Sequence, residues 1–255
     1  MIIPAKNEEG HLDDVLRHLP EWVDHAIVVD DGSTDGTPRL ASASPRCTHL
    51  IRHGSTKGVG AAIAAGYGLA LSLGADVCAI MAGDDQMRAD ELGRIVLPVI
   101  CGEADYSKGN RLDHPNATRD MPWIRRVGTR SLSFLTTLVT GLRTHDAQCG
   151  YTAISSEMLR RLPLSDLYPS YGYPNDLLAI LACAGARISE PIVSPVYSGR
   201  ASGLRPERAL FTHSWVLIRA LLRRRARRRM ISDLAALPMS SASPSRSASA
   251  FKKAG

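Results

Sequence analysis

Ile27-Val28-Val29-Asp30-Asp31-Gly32-Ser33-Thr34-Asp35-Gly36-Thr37 is the stretch on which the fold turns. Three β-branched residues in succession read as a short strand buried on both faces of a sheet. The strand ends in two carboxylates and breaks into a loop of Gly, Ser, Thr and Asp. Thr34 or Asp35 is suited to cap the helix that follows. A carboxylate at the carboxyl end of a parallel strand lies where open α/β sheets hold their ligands. An acidic surface turn is the plainer reading of the same residues, and the rest of the chain decides between them.

Upstream, Met1-Ile2-Ile3-Pro4-Ala5-Lys6-Asn7-Glu8-Glu9 reads as a strand end, a Pro turn and a helix start, with Asn7 as N-cap. Leu12, Val15, Leu16 and Leu19 then recur at helical spacing. Downstream, a helix is expected over 38–43 and a strand over 49–52. Lys57-Gly58-Val59-Gly60 opens an Ala-rich helix, and Gly58 lets backbone approach a ligand or another element closely. The spacing is that of neither the P-loop nor the dinucleotide fingerprint. A second apolar strand over 75–81 runs into Asp84-Asp85-Gln86 and a helix over 89–100. Alternating strands and helices predict an α/β fold, a mostly parallel sheet flanked by helices with right-handed crossovers. The Asp31 and Asp84 loops then share one sheet edge. Two converging carboxylate loops suit a divalent cation with phosphates, because hard cations take oxygen ligands.

The second half repeats the theme. A strand over 104–108 leads to Arg111, whose guanidinium is suited to fork onto a phosphate or a carboxylate. A helix over 123–140 is expected to bury Ile124, Val127, Leu132, Leu135 and Leu138, with Arg125, Arg126 and Arg130 facing an anionic acceptor or solvent. Asp146-Ala147-Gln148-Cys149-Gly150-Tyr151 has the make-up of another site loop. Asn175 or Asp176 reads as the cap of an apolar helix ending near 184. A Pro-interrupted strand over 188–196 suits a sheet edge. The loop 197–203, with Arg200, is placed to close over the site.

Charge is unevenly spread. Residues 205–229 hold nine Arg against the single acid Glu207, a surplus of eight, so the rest of the chain sums to −2 within the total of +6. Beside the apolar stretch 211–222, that run suits an anionic membrane surface, each near-surface charge contributing about 1 kcal/mol. Nothing in it resembles a nucleic-acid-binding fold. Five dispersed Cys with no Cys-x-x-Cys pair read as reduced thiols of a cytoplasmic protein. No secretory leader opens the chain, and no apolar run approaches the roughly 20 residues of a membrane span. The short first strand reads as frayed or as lacking its first residues. Composition divides the chain into a domain over 1–204, a basic helical extension over 205–230 and a disordered tail over 231–255. No feature sets an oligomeric state.

The ordered set Ile3-Pro4-Ala5-x-Asn7-Glu8-Glu9, Val29-Asp30-Asp31-Gly32-Ser33-x-Asp35-Gly36-Thr37, Asp84-x-Gln86 and Asp146-x-Gln148-Cys149-Gly150-Tyr151 resembles family 2 glycosyltransferases of the GT-A fold. It looks most like their dolichol- or polyprenyl-phosphate mannosyltransferase branch, over about residues 1–203. The resemblance implies that Pro4, Ala5, Asn7, Glu8 and Asp31 hold the nucleotide of a GDP- or UDP-sugar, with Gly58 nearby. It implies that Asp84 and Gln86 bind Mg²⁺ or Mn²⁺. The family's Asp-x-Asp-x-Gln element reads Ala82-x-Asp84-x-Gln86 here, without its first carboxylate. Arg111 matches an Arg that faces phosphate, and Arg200 and Arg205 match basic residues of the closing loop loosely. The implied reaction is inverting transfer of a hexose to a polyprenyl phosphate at the inner face of the membrane. Asp84, Arg111 and Asp146 are the catalytic candidates, and Asp146 is the natural base if a sugar hydroxyl accepts. Transfer to a soluble sugar or polysaccharide, and an inactive nucleotide-binding homologue, are the alternatives.

Overall fold

The computed structural model describes residues 1–196 and 206–236. Arg200, Arg205 and the closing loop lie outside the described residues, as does the chain after 236. The strands are β1 (Ile2–Ala5), β2 (Ile27–Asp30), β3 (His49–Arg52), β4 (Val77–Ile80), β5 (Tyr106–Lys108), β6 (Thr152–Ser155) and β7 (Ile188–Ser189). The helices are α1 (Leu12–Arg17), α2 (Thr37–Ala43), α3 (Val59–Ser72), α4 (Leu92–Ile100), α5 (Ala117–Asp120), α6 (Trp123–Thr140), α7 (Ser156–Arg160), α8 (Tyr173–Ala184) and α9 (Pro206–Ala236).

The seven strands form one sheet in the order β3-β2-β1-β4-β6-β5-β7. β1 to β4 run parallel, and β6 runs antiparallel to both β4 and β5. The sheet is therefore mostly parallel, as the alternation predicts, with one reversed strand. β1, β2 and β4 are near-continuous apolar runs because helices cover both faces. Successive side chains divide between the faces. Ile2, Ile27, Val29 and Ile80 pack with Ile63 and Tyr67 of α3 and with α8, while Ile3, Val28, Ala79 and Met81 pack with α1 and α4. α3 approaches β1 closely enough that any Cβ at Gly66 would collide with Ile2.

Several local expectations change. Asn7 does not cap a helix: its φ is +57°, and α1 begins only at Leu12. The strand expected over 188–196 shrinks to β7 plus an isolated bridge between Asn110 and Ile192. Asn175 and Asp176 lie inside α8 rather than ahead of it. Helix α9 runs to Ala236, so residues 231–236 are helical and not tail. All five Cys are free thiols.

The largest change is α6, which turns inside out. Ile124, Val127, Phe134, Leu135 and Leu138 are exposed, and the buried positions are Ser133, Thr136 and Val139. Against α6 and α8 lies α9, with Val139, Ala179 and Ala220 forming a small third core. Part of its basic run is structural. Arg223 pairs with the fully buried Asp176, and Arg219 approaches the same carboxylate at 3.6 Å. Arg224 donates to the carbonyls of Leu138 and Val139 at the end of α6, each at 2.9 Å, and Arg227 to Ala182 O near the end of α8 at 2.8 Å. A guanidinium suits the partly negative carboxyl end of a helix and satisfies its orphan carbonyls.

Candidate active site at the carboxyl edge of the sheet

Three loops leave the carboxyl ends of β1, β2 and β4 side by side because these strands are parallel neighbours. They are stitched together by backbone groups that a short polar sequence leaves free. Asp31 N donates to Ala5 O at 2.9 Å, and Gly83 N to Pro4 O at 3.1 Å. Asn7 N donates to Ser33 Oγ at 2.9 Å, and Thr34 N donates back to Asn7 Oδ1 at 2.9 Å. Glu8 N donates to Thr37 Oγ1 at 2.8 Å, and Gly36 N to Glu9 Oε2 at 3.0 Å. The left-handed backbone at Asn7, a conformation Asn tolerates, makes this reciprocal pairing possible. Asp35 accepts from Thr37 N at 3.0 Å, capping α2 from outside its first turn.

Asp31 turns inward from this frame. Its Oδ1 accepts from Lys57 N and lies 2.8 Å from His53 Nδ1, and its Oδ2 accepts from Gly58 N at 2.7 Å. Burial alone would raise the carboxyl, but the His53 ring and the two N–H donors outweigh it and hold it below its ordinary value. Asp31 thus organises the loop before α3. Gly58 is needed there for its φ of +102° and because a Cβ would strike Pro169 O. The first amides of α3, Gly60 and Ala61, also donate to Pro169 O. The backbone of Gly58 and the amino end of α3 are therefore taken up within the protein.

Asp84 follows β4. Its Oδ1 accepts from Gln86 N at 3.1 Å, and burial raises its carboxyl above the ordinary range. Asp85 beside it is exposed and left-handed, with φ +57°. Asp84 and Gln86 offer one carboxylate and one amide oxygen, a hard donor set that suits Mg²⁺ or Mn²⁺ when substrate phosphates supply further ligands. Ala82 adds no donor, and among the described residues no group of three acidic, His or Cys side chains makes a closed cage. His11, absent from the sequence reading of the site, acts electrostatically on Asp84, and its Nε2 is buried without a hydrogen-bond partner.

The fourth wall is built from β5 and the loop before β6. Arg111 Nε lies 2.8 Å from Asp146 Oδ2 and Nη2 lies 3.0 Å from Oδ1, while Gln148 N donates to Oδ1 at 3.2 Å. Burial would raise the Asp146 carboxyl, but the Arg111 charge and hydrogen bonds hold it below the ordinary value. Beneath them Lys108, fully buried, donates to Asp146 O, and burial lowers its ammonium pKa. Lys108 was missed because a lone Lys ending a strand carries no pattern. This loop abuts the Asp84 loop: Tyr151 OH donates to Arg88 O at 2.8 Å, and Gly150 sits against Met87 and the Tyr173 hydroxyl. The structure thus gathers Pro4, Ala5, Asn7, Glu8, Asp31, Asp84, Gln86, Arg111 and Asp146 at one edge.

The family model described as glycosyl transferase family 2 matches residues 1–162. A UDP-N-acetylglucosamine–dolichyl-phosphate N-acetylglucosaminyltransferase of Methanococcus voltae is 30% identical over 214 residues, 78% of this chain and 85% of that protein. A polyprenol monophosphomannose synthase of Mycolicibacterium smegmatis is 34% identical over 180 residues, 68% of this chain and 67% of that protein. Glucosyl-3-phosphoglycerate synthase of Mycobacterium tuberculosis, solved with Mn²⁺ and UDP-glucose, shares the fold, with a TM-score of 0.62 at 22% identity over 87% of this chain and 76% of that one.

Proposed function

This chain belongs to glycosyl transferase family 2, and on that premise we propose that it transfers a hexose from a GDP- or UDP-sugar to a polyprenyl phosphate, with inversion, at the inner face of a membrane. It is a GT-A hexosyltransferase dependent on a nucleotide sugar. One named relative is a dolichyl-phosphate N-acetylglucosaminyltransferase and another a polyprenol monophosphomannose synthase, which favours a lipid-phosphate acceptor over a soluble sugar.

One observation carries the lipid reading. The outward face of α6 is apolar, through Ile124, Val127, Phe134, Leu135 and Leu138. It borders a groove of about 280 Å³ lined by Arg130, Arg143, His145, Phe134, Leu112 and Asp113. An apolar face next to clustered cations suits a prenyl chain that ends in phosphate, and Leu112 and Asp113 directly follow Arg111. Trp215, Ile218 and Leu222 of α9 are also exposed, beside the exposed Arg225. Such a surface suits the interface of an anionic bilayer. No helix among the described residues is long and apolar enough to cross a membrane.

In this reading the stitched loops at Pro4–Glu8 and Asp31 seat the nucleotide. Asp84 and Gln86 would hold Mg²⁺ or Mn²⁺, which when bound would supply Lewis-acid neutralisation of the diphosphate charge. A lipid phosphate is already an anion at neutral pH, so its attack on the anomeric carbon from the opposite face requires no strong base. Asp146, engaged by Arg111 on both oxygens, then serves to aim that guanidinium rather than to take a proton.

The test is calorimetric titration with GDP and UDP, with and without Mn²⁺, followed by transfer assays with polyprenyl phosphate in vesicles and with soluble acceptors. Metal-dependent binding of one nucleotide and transfer only to lipid phosphate are expected. Transfer to soluble acceptors alone would overturn the lipid reading.

A further inference from the structure

Three buried polar side chains outside the catalytic set tie the Asp146 loop to two helices. Ser133 Oγ of α6 accepts from Ala147 N at 2.8 Å. Asn175 of α8 donates through Nδ2 to Thr136 Oγ1 of α6 at 2.6 Å. Asn175 Oδ1 accepts from Gln148 Nε2. Ser133, Thr136 and Asn175 are all at most 2% exposed. Apolar side chains would hold α6 against α8 as well, and a buried polar set is tolerated only when each group is satisfied.

The direction of this relay is forced. Thr136 lies within a helix, and its hydroxyl donates to Leu132 O at 2.8 Å. Its oxygen is then an acceptor for Asn175, which must present Nδ2. The Asn175 carbonyl consequently faces Gln148, which must present Nε2. With Nε2 turned to Asn175 Oδ1 and lying 3.5 Å from Ala147 O, the carbonyl Oε1 of Gln148 is left as an acceptor that meets no donor among the described residues. Gln148 is half-buried, in the loop whose Gly150 and Tyr151 meet the Asp84 loop at Met87 and Arg88.

We propose that Asn175 is a positioning residue that, with Thr136, locks the amide of Gln148 so that Oε1 is offered to a hydroxyl of the transferred sugar. An acceptor oxygen recognises a hydroxyl donor and repels phosphate oxygens, so Gln148 addresses the hexose and not the diphosphate. The inference rests on the reading of this cleft as the sugar-donor site.

The experiment compares the full chain with Asn175→Leu, Asn175→Asp, Thr136→Val, Gln148→Leu and the double variant Gln148→Leu/Asn175→Leu. Affinities for UDP, GDP, UDP-N-acetylglucosamine and GDP-mannose with Mn²⁺ are read calorimetrically, and thermal unfolding is followed in parallel. Asn175→Leu and Thr136→Val should leave nucleoside diphosphate affinity within about twofold while the accepted nucleotide sugar loses about tenfold. Asn175→Asp keeps an acceptor for Gln148 Nε2 and should restore most of the loss. The double variant should lose no more than Gln148→Leu alone, because both act through one oxygen. Equal losses for diphosphate and nucleotide sugar, or additive losses in the double variant, would overturn the proposal. Thr136→Val decides the matter should Asn175→Leu fail to fold. A wild-type chain that binds no nucleotide or nucleotide sugar removes the donor-site reading itself, whereas wild-type binding with unaltered variants removes only the role of Asn175.

Discussion

Arg111 and Asp146 meet fork to fork, at 2.8 and 3.0 Å, with the carboxylate fully buried and the guanidinium mostly so. The pairing makes each residue the reason the other can sit at the edge of the cleft. Removing Arg111 takes the bidentate partner from a buried carboxylate and leaves it only the buried Lys108 nearby. Arg111→Ala should therefore destabilise the fold by about 3–5 kcal/mol. Arg111→Lys, which keeps the charge but not the fork, should cost less. Urea midpoints at constant slope measure both, and an unchanged midpoint for Arg111→Ala would refute the pairing.

The arginines of α9 divide into two groups with opposite expected signatures. Arg224 and Arg227 close the carbonyl ends of α6 and α8, so Ala at either should lower stability by about 1 kcal/mol. Arg225 is exposed, and Arg225→Ala should leave the melting temperature unchanged while weakening sedimentation with phosphatidylglycerol vesicles. A vesicle effect confined to Arg224 and Arg227 would contradict this division.

The outward apolar face of α6 makes a complementary prediction. Phe134→Ser and Leu138→Ser remove exposed apolar surface, which costs the folded state little. Vesicle partitioning should fall several-fold for each, at about 25 cal/mol per Å² of apolar surface withdrawn from the interface. Partitioning that tracks only salt and not these substitutions would mean that charge alone holds the protein to lipid.

Position 82 tests the proposed metal site. Asp84→Asn removes the carboxylate of the proposed donor set and should abolish Mn²⁺-dependent nucleotide binding. Ala82→Asp restores a second carboxylate beside it and should strengthen binding, since affinity rises with ligand charge. Calorimetry of both variants with the preferred nucleotide decides; unchanged affinity for Ala82→Asp would place residue 82 away from the cation.

Acid should unfold the protein through its buried carboxylates. Asp31 is held below the ordinary value by its hydrogen bonds, and Asp146 by the Arg111 charge and hydrogen bonds. Below about pH 4 the unfolded chain binds protons there that the folded chain does not, so stability rises with pH across that window. It is fully present above the ordinary carboxylate value and is lost as pH falls through the lowered ones. Urea unfolding between about pH 2 and 5 measures the slope, which Asp31→Asn should reduce.

The parallel strands and both acidic loops were legible in the sequence. β-Branched runs such as Ile27–Val29 report burial on both faces, and a carboxylate following such a run marks the ligand edge of an α/β sheet. The ordered motifs from Ile3 to Tyr151 carried the family. These are local signals: each depends on residues within about a dozen positions of one another. What only the tertiary structure decided is which distant side chains meet. Apolar spacing in α6 was correctly periodic, yet which face turns inward depended on Ser133 and Thr136 finding partners at Ala147 and Asn175. The basic run of α9 read as a uniform patch until Asp176 and the carbonyl ends of two other helices claimed part of it. Asp146 had the residue type of a base, but Arg111, 35 positions away, made it half of an ion pair. Periodicity reports the type of an element, not which of its faces is buried; the chemistry of a charged or amide group is set by its partner, and partners separated by dozens of residues leave no local pattern.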